Sequence, residues 1–110
     1  MKFIVSGKNF EVTEALKDKI TKKLSKLDKF FRKETEAQVT LSVERNRHIM
    51  EVTITFDGIV MRAEVENDDM YSCVDKVIDI LEGQIRKYKT KLEKKLREGA
   101  FKPENFDNTE

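Results

Sequence analysis

The chain has 110 residues, with 22 Lys or Arg against 21 Asp or Glu, one His, one Cys and a formal net charge of +1. A chain of this length folds as one domain that buries about two-thirds of its unfolded surface without staples, and its single cysteine excludes an internal disulfide. No apolar run nears the roughly 18 residues of a membrane span, and nothing near Met1 has the charged-then-apolar-then-small order of a secretory signal, so a soluble cytoplasmic protein with no membrane contact is expected.

Lys2 to Gly7 alternates Phe3 and Val5 against Lys2, Ile4 and Ser6, which predicts a short strand with one apolar face. Gly7-Lys8-Asn9 ends it. Thr13 is placed to cap a helix whose first turn holds Glu14, and Leu16, Ile20, Leu24, Leu27 and Phe31 follow at helical spacing, so a helix is predicted from about Thr13 to Phe31. On its other face Lys22, Lys26, Lys29 and Lys33 form one stripe, with Lys19 and Lys23 beside it. Like charges on adjacent turns repel by about a few tenths of a kcal/mol each, which a helix selected for stability alone would avoid.

From Glu36 the period switches to two. Ala37, Val39, Leu41 and Val43 share one face; Met50, Val52, Ile54 and Phe56, then Ile59, Met61, Ala63 and Val65, supply the same face on two further strands. Asp57-Gly58 is a strong two-residue hairpin signal, which pairs Phe56 with Ile59, Ile54 with Met61, Val52 with Ala63 and Met50 with Val65. A turn at Asn46-Arg47 pairs Val43 with Met50, Leu41 with Val52, Val39 with Ile54 and Ala37 with Phe56. The result is an antiparallel meander with a solvated outer face, which the first strand joins through a right-handed parallel crossover.

Asp69 to Arg97 reads as a second, longer helix: Val74, Val77, Ile78, Leu81, Ile85, Tyr88 and Leu92 recur on one face. At about 1.5 Å per residue it would span roughly 43 Å, longer than the sheet, so its basic end is expected to project past the core. The expected class is therefore α+β, order β-α-β-β-β-α, a four-stranded sheet with both helices side by side on its one apolar face and their basic outer faces neighbours. Residues 1–97 form this domain, and 98–110, without periodicity, read as a flexible tail or the start of a linker.

Charge is segregated along this frame. Residues 17–33 carry eight Lys or Arg against Asp18 and Asp28, a net +6; residues 83–97 carry seven against Glu93, again +6; residues 34–82 between them are −8. Two basic helical segments in an otherwise acidic molecule are the pattern of an oriented polyanion-binding surface. Catalytic and metal chemistry is not indicated. His48 flanks a turn with no Ser or Cys partner beside it. Cys73 falls in the first turn of the second helix, where a dipole could activate it, but reads better as a small packing residue. Glu64, Glu66, Asp68 and Asp69 read as a solvated strand edge and a helix cap, not as metal ligands, and no Gly-rich phosphate loop exists. No enzyme, cofactor or small-molecule substrate is expected.

Several stretches carry a resemblance to a known family. Phe3-Ile4-Val5-Ser6-Gly7-Lys8-Asn9 with Val12-Thr13-Glu14-Ala15-Leu16, then Lys26-Leu27-Asp28-Lys29-Phe30, and above all Asp68-Asp69-Met70-Tyr71 with Val74-Asp75 and Gln84-Ile85-Arg86-Lys87, are similar in order and spacing to the ribosome hibernation-promoting factors, also called ribosome-associated inhibitor A or protein Y, over about residues 1–95. The resemblance implies a fold related in shape to double-stranded-RNA-binding domains. It also implies binding to the small (30S) ribosomal subunit and its rRNA in the channel used by messenger and transfer RNA, silencing idle ribosomes in stationary phase or stress. The family's RNA contacts carry over to Lys23, Lys26 and Lys29 and to Lys87, Lys89 and Lys91; Lys22 and Arg86 join them from the charge pattern. Two positions depart: Ile80 and Gly83 stand where the family has basic residues. Long members continue into a second domain that dimerises ribosomes, absent here, so the chain is expected to be a short-type factor or part of a long one. The alternatives are a generic structured-RNA-binding module and a domain that binds protein through its exposed sheet face. Lysines at fixed spacing without base-edge readers imply recognition by backbone and shape.

Overall fold

A computed structural model describes residues 1–31, 35–56 and 58–88. Four strands, β1 (Lys2–Lys8), β2 (Glu36–Glu44), β3 (Arg47–Phe56) and β4 (Ile59–Asn67), form one sheet in the order β1-β2-β3-β4, with helix α1 (Glu14–Leu24) after β1 and helix α2 (Met70–Lys87) after β4. β1 runs parallel to β2, as the crossover through the first helix predicts, and the other pairs are antiparallel, as the turns predict. One apolar cluster joins Leu16, Ile20 and Leu24 of α1, the inward residues of β2 to β4, and Val74, Val77, Ile78, Leu81 and Ile85 of α2. Each such buried Leu, Ile or Val contributes about 1.5–3 kcal/mol against leaving it in water. α2 packs over β3 and β4 and against α1.

β1 ends because the chain doubles back on it. A Cβ on Gly7 would stand 2.0 Å from the Phe10 carbonyl oxygen, so only glycine allows this approach. Asn9 takes a left-handed φ of 55° to complete the bend. Thr13 caps α1, its hydroxyl accepting from the Leu16 amide at 3.2 Å.

Three expectations need correction. The first helix does not stay α-helical to Phe31: after Leu24 it tightens into a 3-10 segment, Ser25–Phe30. Leu24, Leu27 and Phe30 recur every third residue, and a 3-10 helix superposes such residues on one line; all three are buried, with Phe31 entering the core on the extended exit. Second, the β3–β4 register is the predicted one, but β2–β3 is shifted by two, with Leu41 opposite Met50, Val39 opposite Val52 and Ala37 opposite Ile54. The two-residue turn is Arg45-Asn46, with Arg45 at φ 57°. The slip carries Phe56 beyond β2 onto Phe31, ring centroids 5.0 Å apart, and sets Arg47 across from Glu44, its guanidinium 3.9 Å from the Glu44 carboxylate and 2.8 Å from that of Glu66 on β4. Third, the basic faces of the two helices are not neighbours over the described residues. Lys19 lies against Tyr71 and Lys23 against Asp75, so the helices run parallel with the basic stripe of α1 beside the first half of α2, where Asp75 and Lys76 cancel. The second basic segment starts only at Arg86, beyond the stretch that faces α1. Residues 89–97, expected to project, and 98–110, expected to be a tail, lie outside the described residues.

Candidate nucleic-acid interface

The basic ridge of α1 exists because Leu16, Ile20 and Leu24 fix which side faces the sheet. That leaves Lys22 and Lys26 exposed and Lys19 and Lys23 half-buried on the flank toward α2. With Asp18 they line, among the described residues, a groove of about 420 Å³. Lys29 is exposed on the 3-10 segment, its ammonium 5.2 Å from the Phe30 ring centroid. The Lys19 ammonium lies 5.1 Å from the centroid of Tyr71, and Lys23 Nζ lies 3.8 Å from Asp75 Oδ1.

The structure thus sorts the predicted contacts. Lys22 and Lys26 form no ion pair among the described residues and stand together on the ridge, poised to neutralise adjacent phosphates. Lys23 is already matched by Asp75, and Arg86 by Glu82 at 3.5 Å one turn earlier. Both pairs are surface pairs, worth about 0–1 kcal/mol, so either cation can exchange its partner for a phosphate. Lys87 is exposed on α2. Lys89, Lys91 and Lys33 lie outside the described residues. Ile80 is 40% exposed, and a Cβ on Gly83 would meet nothing within 4 Å, so neither departure serves packing.

Gln84 and Tyr71 escaped the sequence reading as working side chains. Gln84 reaches from α2 to the open edge of β4: its Oε1 accepts from the Arg62 amide at 3.0 Å and its Nε2 donates to the Arg62 carbonyl oxygen. One side-chain amide thereby replaces the strand that would otherwise pair there. Periodicity carries no signal for this. Tyr71 has a faint one, an aromatic in the helix's first turn off the line of apolar residues.

The residues weighed for other chemistry fall into structural roles. Asp69 caps α2, accepting from the Tyr71 amide and the Ser72 hydroxyl, and Glu66 pairs with Arg47. Among the described residues no cluster of three His, Cys, Asp or Glu could hold a metal. Cys73 does stand beside His48, contrary to the expectation, but its Sγ donates to the His48 backbone carbonyl oxygen at 3.6 Å, not to the ring. Burial pushes the thiol up from its ordinary value, with Lys76 opposing that and Asp69 adding to it, so the dipole does not activate it. The His48 ring meets Phe10 edge-on at 6.1 Å. Among the described residues no helix is long and apolar enough to cross a membrane.

The described residues thus form a β-α-β-β-β-α domain with a lysine ridge on one helix. Residues 3–93 match the family described as sigma 54 modulation protein / S30EA ribosomal protein, and the chain belongs to that family. The chain is similar to the ribosome hibernation promotion factor of Deinococcus radiodurans, 42% identical over 104 residues that cover 90% of this chain and 54% of that protein. The Escherichia coli ribosome hibernation promoting factor is 37% identical over 92 residues, covering 84% of this chain and 97% of that one. The crystal structure of the Thermus thermophilus protein Y N-terminal domain superposes with a TM-score of 0.72 at 32% identity, covering 80% of this chain and 99% of that domain. The chain spans about half the length of the Deinococcus relative and of others like it.

Proposed function

We propose that this chain is a ribosome hibernation factor: it binds the small ribosomal subunit by its rRNA, in the channel used by messenger and transfer RNA, and silences idle ribosomes in the cytoplasm under stress or in stationary phase. The observation that carries the reading is the pair Lys22 and Lys26, exposed side by side without ion-pair partners among the described residues, in a chain whose relatives are named ribosome hibernation factors. Lys29 extends the α1 ridge, with Lys23 joining when it leaves Asp75; Arg86 and Lys87, at the far end of α2, are a second, separate set of contacts, to which the reading adds Lys89 and Lys91, outside the described residues. Occupancy of the channel suffices for inhibition, so no catalytic group is required.

The outer face of the sheet favours this over a protein-binding role. Its exposed large apolar residues, Ile4 and Val60, stand on the two opposite edge strands and make no single patch. Co-sedimentation with purified small subunits tests the proposal. The full chain should pellet with them and Lys22→Ala/Lys26→Ala should pellet markedly less; equal pelleting of both would remove the lysine ridge from the interface.

A further inference from the structure

Tyr71 is held in a way that the fold does not need. The residue is 38% exposed, on the flank of α2 that faces the lysine ridge, and its backbone amide is fixed by the Asp69 cap at 3.3 Å. Among the described residues the phenol oxygen takes no hydrogen bond. What the ring does have is a cation: Lys19, one wall of the basic groove, sits 5.1 Å from its centroid. Aromatic surface and ammonium groups thus meet at one place, contributed by two helices, with Lys22 and Lys26 a turn or two along the ridge.

A nucleotide carries a flat π face and an anion close together, and this arrangement offers the complement of each. Stacking of a base on an aromatic side chain is the stronger contact, and an exposed cation over the same ring the weaker. A base reaching Tyr71 can therefore displace the Lys19 ammonium, which is then free to meet the phosphate next to that base. A continuous duplex cannot use the ring, because its bases are stacked on one another and its exposed surface is sugar and phosphate.

We propose that Tyr71 is a stacking platform for an unpaired nucleobase, with Lys19, Lys22 and Lys26 on the flanking phosphates, so that this surface selects RNA with splayed-out bases over continuous duplex. The proposal rests on the RNA-binding reading above and adds the substrate class: lysines alone would bind either form by backbone charge.

The chain has no tryptophan, so Tyr71→Trp introduces a single, selectively excitable tryptophan at the proposed contact. Binding is measured for the full chain, Tyr71→Ala, Tyr71→Phe and Lys22→Ala/Lys26→Ala, against an unstructured oligouridylate of about 12 nucleotides and a blunt RNA duplex of about 12 base pairs. Tyr71→Ala should weaken single-strand binding by about 5- to 150-fold, the range per stacked base, and leave duplex binding within about twofold. Tyr71→Phe should keep single-strand affinity, and the tryptophan should be quenched by the oligouridylate but not by the duplex. Equal losses on both RNAs, or no loss on either, overturn the stacking role while leaving the lysine reading in place. If instead the lysine double variant binds both RNAs as well as the parent chain does, the ridge is not the RNA surface and both readings fall, as they do if the parent chain binds neither RNA. Should Tyr71→Ala lose its fold by circular dichroism, the phenylalanine and tryptophan variants decide, and an unquenched tryptophan overturns the proposal.

Discussion

Two opposing effects act on Cys73, and their sizes decide what the residue is for. The positive end of a helix lowers a thiol's pKa, whereas removal from water raises it. At this position the side chain is fully covered and burial wins, so the thiol stays above its ordinary value of 9.0. A group protonated in the fold beyond its unfolded pKa contributes stability that is complete below about 9 and is lost as the pH climbs through the folded value. Cys73 should therefore react with a thiol reagent near pH 8 only as fast as the chain opens, and Cys73→Ala should lose less stability than the parent chain between pH 8 and pH 11. Rapid labelling of the native chain would contradict the burial. The sequence gives the packing role of Cys73 by its position on the core side of a 3.6 pattern; it gives no hint of the His48 carbonyl beside it, because that contact joins residues 25 apart.

Elements were legible where a local pattern determines them and illegible where two patterns fit equally. The inner face of every strand follows from alternation, and Asp57-Gly58 set one register correctly, with Gly58 at φ 85°. The other hairpin admits two registers that differ by two residues, since such a slip leaves every side chain on the same face and every apolar pair apolar; only the turn's left-handed residue, here Arg45, distinguishes the two. The α-to-3-10 change after Leu24 hides similarly, because Leu24 and Leu27 satisfy both periods. α2 offers two tests. Its Gly83 faces open space at an ordinary helical φ, so Gly83→Arg should stabilise the chain by about 0.5–1 kcal/mol from helix propensity and add a charge one turn before Lys87. Gln84→Ala, which removes both bonds to the Arg62 backbone and uncovers the β4 edge, should cost about 1 kcal/mol, a fall of roughly 4–8 °C in Tm. It should also raise self-association at high concentration, measured by light scattering; an unchanged Tm would mean that water serves the edge equally well.

At the scale of the whole molecule the composition shows almost no net charge, and the fold shows where the opposite charges meet. Counting by segment exposed the two basic runs, but only the parallel packing of the helices reveals that the α1 ridge borders Tyr71 and Asp75 while the second run begins past the facing stretch. Asp75 is therefore a competitor built into the surface: it lies 3.8 Å from Lys23 and presents to any phosphate arriving there a charge of the wrong sign. Both side chains are substantially solvated, so the pair stabilises the fold by at most about 1 kcal/mol, and Asp75→Asn should barely move Tm. Its effect on RNA should be larger, since it frees one cation and removes one repulsion within a Debye length, about 10 Å at 0.1 M salt, of the ridge. Each phosphate contact contributes a slope of about −0.7 to −0.9 in log affinity against log salt. Measured with small ribosomal subunits at several salt concentrations, Asp75→Asn should bind severalfold more tightly at low salt, with a slope steeper by up to about one contact. Lys22→Ala/Lys26→Ala should bind more weakly, with a slope shallower by about 1.4–1.8. If the lysine variant behaves so and Asp75→Asn changes neither affinity nor slope, RNA touches only the top of the α1 ridge and Lys23 remains with its carboxylate throughout. If neither variant changes the slope, the phosphates are met elsewhere on the molecule.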